Sequence, residues 1–309
     1  MNEFEEVPET YEAENDDFTA LYILAWALII KALMRLVSLP PNLNTTQMLF
    51  VERQVNTEIE AVISNLERKA IPMATEKVSN AYKEGVAFSR KAMTTEIKLT
   101  ESKEVELNNS HKLRMEKMIE QTQDDLLKAT HNTKENVKQL VRKVVSKEIA
   151  DAGKSNKFGK NTAMAKQIEK QLRKQFIENG IKDADVAIID KANRKWKLQT
   201  YSAMVARTKM NNAYIDAIRE EAIQDGTDLA IISTKPDTKD ACKNYEGMII
   251  SLNGITSGYL TYAELKASKQ VFHPNCGHFV RPISNLNRVP KKLMEQHQKQ
   301  MNSYTGNQS

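Results

Sequence analysis

The sequence predicts a mainly α protein, with long helices through its first two thirds and a small α+β module after them. Three observations carry this. Only 10 Gly and 8 Pro interrupt 309 residues, too few breakers for a fold of short strands and turns. Met48, Val51, Val55, Ile59, Val62, Ile63 and Leu66 recur at helical spacing and draw one apolar stripe. Short runs rich in valine and isoleucine follow position 185, as strands require. A chain of this length holds one large domain or two smaller ones.

Taken in order, residues 1–17 contain eight acids, no base and no apolar period, which predicts a disordered acidic arm. Residues 18–39 change character: positions 20–30 form an unbroken apolar run, interrupted afterwards by Lys31 and Arg35. The run is short for a membrane span, which takes about 20 residues. It also lacks the basic leader of a signal peptide, since the first base is Lys31. The expectation is a helix buried on nearly all sides, in a core or on a partner, with Leu21, Ile23, Trp26, Ile30 and Leu33 as docking residues. A membrane anchor is the rival reading. Pro40 and Pro41 stop this helix.

Thr45 or Thr46 can cap the next helix, and Pro72 should break or kink it. From 73 to 150 the one further breaker is Gly85, so residues 18–152 read as a helical scaffold whose members must pack on each other or on another chain. Its methionines read as gap-filling core. Asp151-Ala-Gly-Lys-Ser155 has the end of a phosphate loop, but Glu148 stands where the first glycine belongs, so residues 153–161 are a linker. A basic helix over about 162–179 should end on Gly180. Strands are expected at 186–190, 229–233, 248–252 and 279–283, with a helix at 198–224 stopped by Asp225-Gly226. Residues 162–284 thus form the α+β module, and 285–309 a polar tail with one short helix.

The formal net charge of +5 hides an asymmetry, because residues 138–209 hold 18 Lys/Arg against 7 Asp/Glu. A basic body behind an acidic arm suggests internal pairing or a polyanionic partner. Trp196 sits within Arg194-Lys-Trp-Lys197, but one aromatic is no stacking platform. Nonspecific phosphate contact by Lys191, Arg194, Lys195, Lys197, Arg207 and Lys209 is the expectation.

The soft-ligand chemistry gathers in the C-terminal module. Both cysteines of the chain, Cys242 and Cys276, lie there, and His273 and His278 flank the second. Together they could supply a tetrahedral structural zinc site, with Asp240 or Asp237 as alternative oxygen ligands. The competing reading makes the cysteines small buried apolar residues. Two cysteines build no disulfide framework, so an intracellular life is the default, and a single Cys242–Cys276 bridge is the remaining option. His111, His131 and His297 stand alone in polar sequence and read as solvated. No general base or nucleophile constellation stands out, so catalysis is not expected.

The order Met204-Val-Ala-Arg-Thr208, Asp225-Gly226-Thr-Asp228, Asp240-Ala-Cys242, Tyr245-Glu-Gly247 and His273-Pro-Asn-Cys276-Gly-His278 resembles the phage minor capsid and head morphogenesis proteins, the MuF-like family and its minor-capsid-protein-2 relatives. The resemblance covers about residues 188–283. Tyr245 stands where one branch has a second cysteine, and Gly277 where relatives often have Arg. It implies a low-copy virion protein at or near the portal vertex inside the head, made in the host cytoplasm. Such a protein assists head assembly and DNA packaging or delivery, partnered by the portal, other head proteins and packaged DNA, with no small-molecule substrate. The rivals are a metal-dependent nucleic-acid enzyme and a membrane-associated helical protein.

Overall fold

The computed structural model describes residues 16–40, 43–94, 105–154, 163–235 and 238–306. The acidic arm up to position 15, most of the linker and Asp237 lie outside the described residues. The architecture is mainly α with a small strand-bearing region towards the C-terminal end. The helices are α1 (Asp16–Val37), α2 (Thr45–Met93), α3 (Asn109–Lys154), α4 (Ala163–Ala184), α5 (Leu198–Gln224), α6 (Tyr262–Ser268) and α7 (Lys291–Gly306). The strands are β1 (Val186–Ile189), β2 (Lys195–Lys197), β3 (Leu229–Ile232), β4 (Ile249–Ser251) and β5 (Val280–Pro282).

The chain packs as two compact units, each assembled from segments far apart in sequence. One gathers residues 16–73 and 123–203, the other residues 74–122 and 204–309. The α+β region is therefore completed by residues 74–122, which belong to the stretch read as scaffold. The dividing point in α2 falls at Met73, beside Pro72, yet the helix runs through this proline instead of breaking.

In the first unit α1 buries Phe18, Tyr22, Ala25, Ile29, Ala32, Leu33, Leu36 and Val37 on one face. Met48, Val55, Ile59 and Ile63 of α2, Val137, Val141 and Val144 of α3, and Ile177 of α4 close this core. These residues recur at three and four positions along each helix, so each contributes one stripe. Arg173, buried on α4, pairs with Glu148 and donates to the carbonyls of Leu36 and Leu39. A cation thus satisfies acceptors at the end of α1. Asn44, not Thr45 or Thr46, caps α2: its side chain accepts from the Gln47 amide while Gln47 accepts from the Asn44 amide, each at 2.9 Å. This is a reciprocal capping box. Gly180 does not end α4; it lies inside the helix, close against the Leu140 side chain, and α4 continues to Ala184. Strands β1 and β2 form an antiparallel hairpin, of which the sequence signalled only the first member.

In the second unit β3 lies between β4 and β5, antiparallel to both. One face of this sheet packs on α5 through Tyr214, Ile215, Ile218 and Ala222, joined by Phe272, Phe279 and Val280. The other face, with Leu229, Ile231 and Ile249, is covered by Leu293 and Met294 of α7. The polar tail thus ends in a helix of 16 residues with a packed face. Residues 74–93 of α2 enter the same unit: Val78, Tyr82 and Val86 pack against Met210, Ala213 and Ala217 of α5. The two helices come so close at Gly85 that a side chain there would press on the Tyr214 carbonyl oxygen and stand 2.8 Å from Ala217 Cβ. Phe88 meets Tyr214 and Phe279 with ring centroids 5.8 and 5.4 Å apart.

Candidate metal centre

The centre is built on the loops around the three-stranded sheet. After β3 the chain enters a short 3-10 helix, Ala241–Tyr245, capped by Asp240, whose carboxylate accepts from the Cys242 amide. That cap turns Cys242 inward until its side chain is fully buried. Before β5, Phe272 and Asn275 adopt left-handed backbone, φ 57° and 65°, and fold the His273-Pro-Asn-Cys276 loop back. The Asn211 amide on α5 holds this loop by donating to the carbonyls of Cys276 and His278 at 2.8 and 3.1 Å.

The ligand atoms of Cys242, His273 and Cys276 all lie within 4.8 Å of one another. The two Sγ atoms are 3.6 Å apart, His273 Nε2 is 3.1 Å from Cys242 Sγ, and His278 Nδ1 is 3.4 Å from Cys276 Sγ. A zinc tetrahedron with bonds of about 2.3 Å to sulfur and about 2.1 Å to nitrogen has edges of about 3.6–3.8 Å. The observed separations approach those edges, so this Cys-His-Cys cluster could hold a metal.

The second nitrogen of each imidazole strengthens that reading. His273 Nδ1 donates to the Pro274 carbonyl at 2.9 Å, which leaves Nε2 as a lone pair facing Cys242. His278 Nε2 donates to Glu246 at 2.9 Å, which aims Nδ1 at Cys276. Burial opposes a charge on this imidazole, but Cys276 and Glu246 outweigh it and raise its pKa, so a metal would take the place of the Nδ1 proton. Glu246 is itself held by the Lys235 amide and the Thr238 hydroxyl. A carboxylate or carbonyl on the outer nitrogen is the arrangement that orients metal-ligating histidines. Burial pushes the Cys242 thiol up, reinforced by its neighbour Cys276. Burial opposes ionisation at Cys276 too, but the hydrogen bond and charge of His278 outweigh it and bring that thiol below its ordinary value. Burial likewise opposes the charge on Glu246, yet His278, Thr238 and Lys235 hold its carboxyl below the usual range. Asp240 Oδ2 is 3.4 Å from His273 Nε2, at the solvent edge of the cluster. Cys242 and Cys276 are free thiols.

Cys276, His278 and Glu246 also have the chemical types of nucleophile, base and orienter. Cys276 is only 6% exposed and His278 3%, so a substrate has no approach to the sulfur. Burial fits a ligand better than a nucleophile.

The phosphate-contact residues are divided between the two units. Lys191, Arg194, Lys195 and Lys197 sit on the β1–β2 hairpin of one unit, Arg207 and Lys209 on α5 in the other. On the hairpin three of the four have acidic partners: Arg194 with Asp190 at 2.7 Å, Lys195 with Asp183 and Lys197 with Asp185, both at 3.6 Å. Asp190 also accepts from Trp196 Nε1 at 3.0 Å, so the tryptophan braces the turn. Lys209 donates to the Gln121 carbonyl. Of the docking residues on α1, Leu33 lies in the core, Leu21, Trp26 and Ile30 are half-buried, and Ile23 is exposed. Within this chain the helix is buried on one face only, not on nearly all sides. Among the described residues α1 is the one helix long and apolar enough to cross a membrane.

Two histidines read as solvated are buried. His111 is fully enclosed, with Tyr82 Oη 3.0 Å from Nδ1 and Glu221 2.9 Å from Nε2, and Arg90 completes the network on Glu221. His297 on α7 accepts the Ile249 amide at Nδ1 and stacks on Tyr259. Only His131 is exposed. Nothing in the local sequence separated the three, since their partners lie far away in the chain.

Compared with known protein families, the chain matches the family model described as phage minor capsid protein 2 over residues 8–308. The chain belongs to this family. No match was found among curated proteins or among solved structures. The phage minor capsid family accounts for nearly the whole chain, well beyond the stretch whose motifs resemble it. It supports a general role as a minor component of the phage capsid, associated with the virion and with other head proteins.

Proposed function

We propose that this minor capsid protein is a low-copy, non-enzymatic component at or near the portal vertex inside the head, present in the host cytoplasm during assembly. It would assist head assembly and DNA packaging or delivery, with nonspecific DNA contact. The observation that carries this reading is the family match across 8–308. The charge excess of residues 138–209 supports the DNA contact. Counting the chain against the portal subunit by quantitative mass spectrometry of purified heads tests it. A few copies to about a dozen per head is the expected result for a component confined to one symmetric vertex. Absence from immature and mature heads alike overturns the reading.

The metal centre has a structural role in this proposal: one zinc held by Cys242, Cys276, His273 and His278, with Asp240 as the alternative fourth ligand. It would tie the loop after β3 to the loop before β5. The hydrogen bonds that the outer imidazole nitrogens make to the Pro274 carbonyl and the Glu246 carboxylate carry this assignment. Elemental analysis of the full chain purified without chelators should give close to one zinc per molecule, and a negligible content after zinc saturation would leave the two thiols as packing residues or as a reversible disulfide pair.

A further inference from the structure

The outer face of α1 is apolar and continuous. Ala20, Ile23, Leu24, Ala27 and Leu28 are all exposed, with Ile23 at 52% and Leu24 at 56%. Their spacing of three and four residues puts them on one stripe opposite the buried face. Arg173 and the core under α1 hold the helix in place, so this stripe is a fixed surface of the folded unit.

The ends of the stripe are oppositely charged. Asp16 and Asp17 stand exposed in the first turn, and Lys31 stands exposed on the same stripe near the other end. Among the described residues, none of these three makes an ion pair. Arg35, the next base along, is taken by Glu58 at 2.7 Å. The stripe is therefore self-complementary under a two-fold axis. With two helices antiparallel and the axis between Ile23 and Leu24, Asp16 of one copy faces Lys31 of the other. Ala20 then faces Ala27, and Ile23 faces Leu24. Asp16 and Lys31 are about 22 Å apart along the axis, at about 1.5 Å per residue, so both charge pairs flank one apolar centre. The two alanines let the backbones approach on either side of the isoleucine and leucine.

We infer that α1 pairs antiparallel with α1 of a second copy of this chain, through Ile23 and Leu24 at the centre and Asp16/Asp17 to Lys31 at both ends. Such an interface is isologous, which closes at two copies. It is small, and belongs to the weak, concentration-dependent class. The inference concerns the isolated chain and does not depend on the proposed position in the head.

Sedimentation equilibrium of the purified full chain over a dilution series tests it. The mass should rise towards twice that of one chain as concentration increases. Leu24→Glu should remain monomeric with an unchanged circular dichroism spectrum, since the side chain replaced is outside the core. Lys31→Glu should weaken association by roughly five- to tenfold, and the double change Asp16→Lys, Asp17→Lys should do the same. Combining both reversals should restore it, a rescue that only an antiparallel arrangement gives. A wild-type chain that stays monomeric at every concentration overturns the inference. So does a dimer indifferent to Leu24→Glu, or charge reversals without rescue. In those cases flotation with anionic lipid vesicles and capture by the portal would identify what else covers the stripe.

Discussion

At the residue scale the chemistry of this protein is decided by side chains that hold other side chains. Cys242 and Cys276 face each other because Asp240 caps one loop and Asn211 ties down the other. Replacing Cys276 by Ser should abolish zinc retention and lower the melting temperature of the full chain. Adding zinc to the metal-free wild type should raise its melting temperature without changing that of the variant. His297 makes a second prediction. Burial holds its pKa below the ordinary value, and its Nδ1 must be unprotonated to accept the Ile249 amide. The unfolded chain then binds the proton more readily than the folded one. Stability from this group is present above about pH 6.5 and is lost as the pH falls below it. His297→Phe should keep the stacking on Tyr259, remove this part of the acid sensitivity, and cost about 1–3 kcal/mol for the unpaired amide. Denaturant unfolding at pH 7.5 and pH 5.5 reads both effects.

At the element scale two helical glycines show how context sets the cost of one methyl group. In an exposed helix, Gly→Ala gains up to about 1 kcal/mol. At Gly85 the added carbon meets the Tyr214 backbone oxygen, which cannot move without shifting α5. Gly85→Ala should therefore destabilise, by about 1–3 kcal/mol. At Gly180 the obstacle is the end of the Leu140 side chain, which can change rotamer. Gly180→Ala should cost clearly less, and chemical denaturation of the two variants side by side checks the order. Pro72 teaches the complementary lesson. A proline removes one helical hydrogen bond and should interrupt an isolated helix. Here α2 continues through it, and Ala70 and Ala74 on either side are buried.

At the scale of the molecule the two compact units are built by segments that leave and return. The sheet-bearing unit needs Val78, Tyr82, Val86 and Phe88 from the long second helix to complete the packing around α5. A fragment beginning at residue 162 keeps every motif of the α+β region but loses these side chains. It should be poorly soluble or lack a cooperative thermal transition, whereas the full chain should show one. Calorimetry on both proteins makes the comparison. The DNA contact belongs to this scale as well. If residues 138–209 bind phosphates, affinity for random-sequence DNA should fall steeply and linearly on a log–log plot against salt. The acids paired with Arg194, Lys195 and Lys197 predict a slope smaller than the count of bases would suggest.

The sequence alone determined the class of the fold, the position of α5 to the residue, and four of the five strands. Each rests on a pattern within one short window: a 3.6-residue period, or a β-branched run between turn signals. It also pointed to Cys242, His273 and Cys276, which the structure brings together, because cysteine and histidine are rare in this chain and crowd into one region. Only the tertiary structure decided the rest. It assigned residues 74–122 to the sheet-bearing unit, buried His111 and His297, and turned the tail into a packed helix. It also divided α1 into a buried and an exposed face. The partners in these cases stand tens to more than a hundred residues apart, and local periodicity carries no record of them. Burial and hydrogen bonding across such separations exist only once the chain has closed on itself.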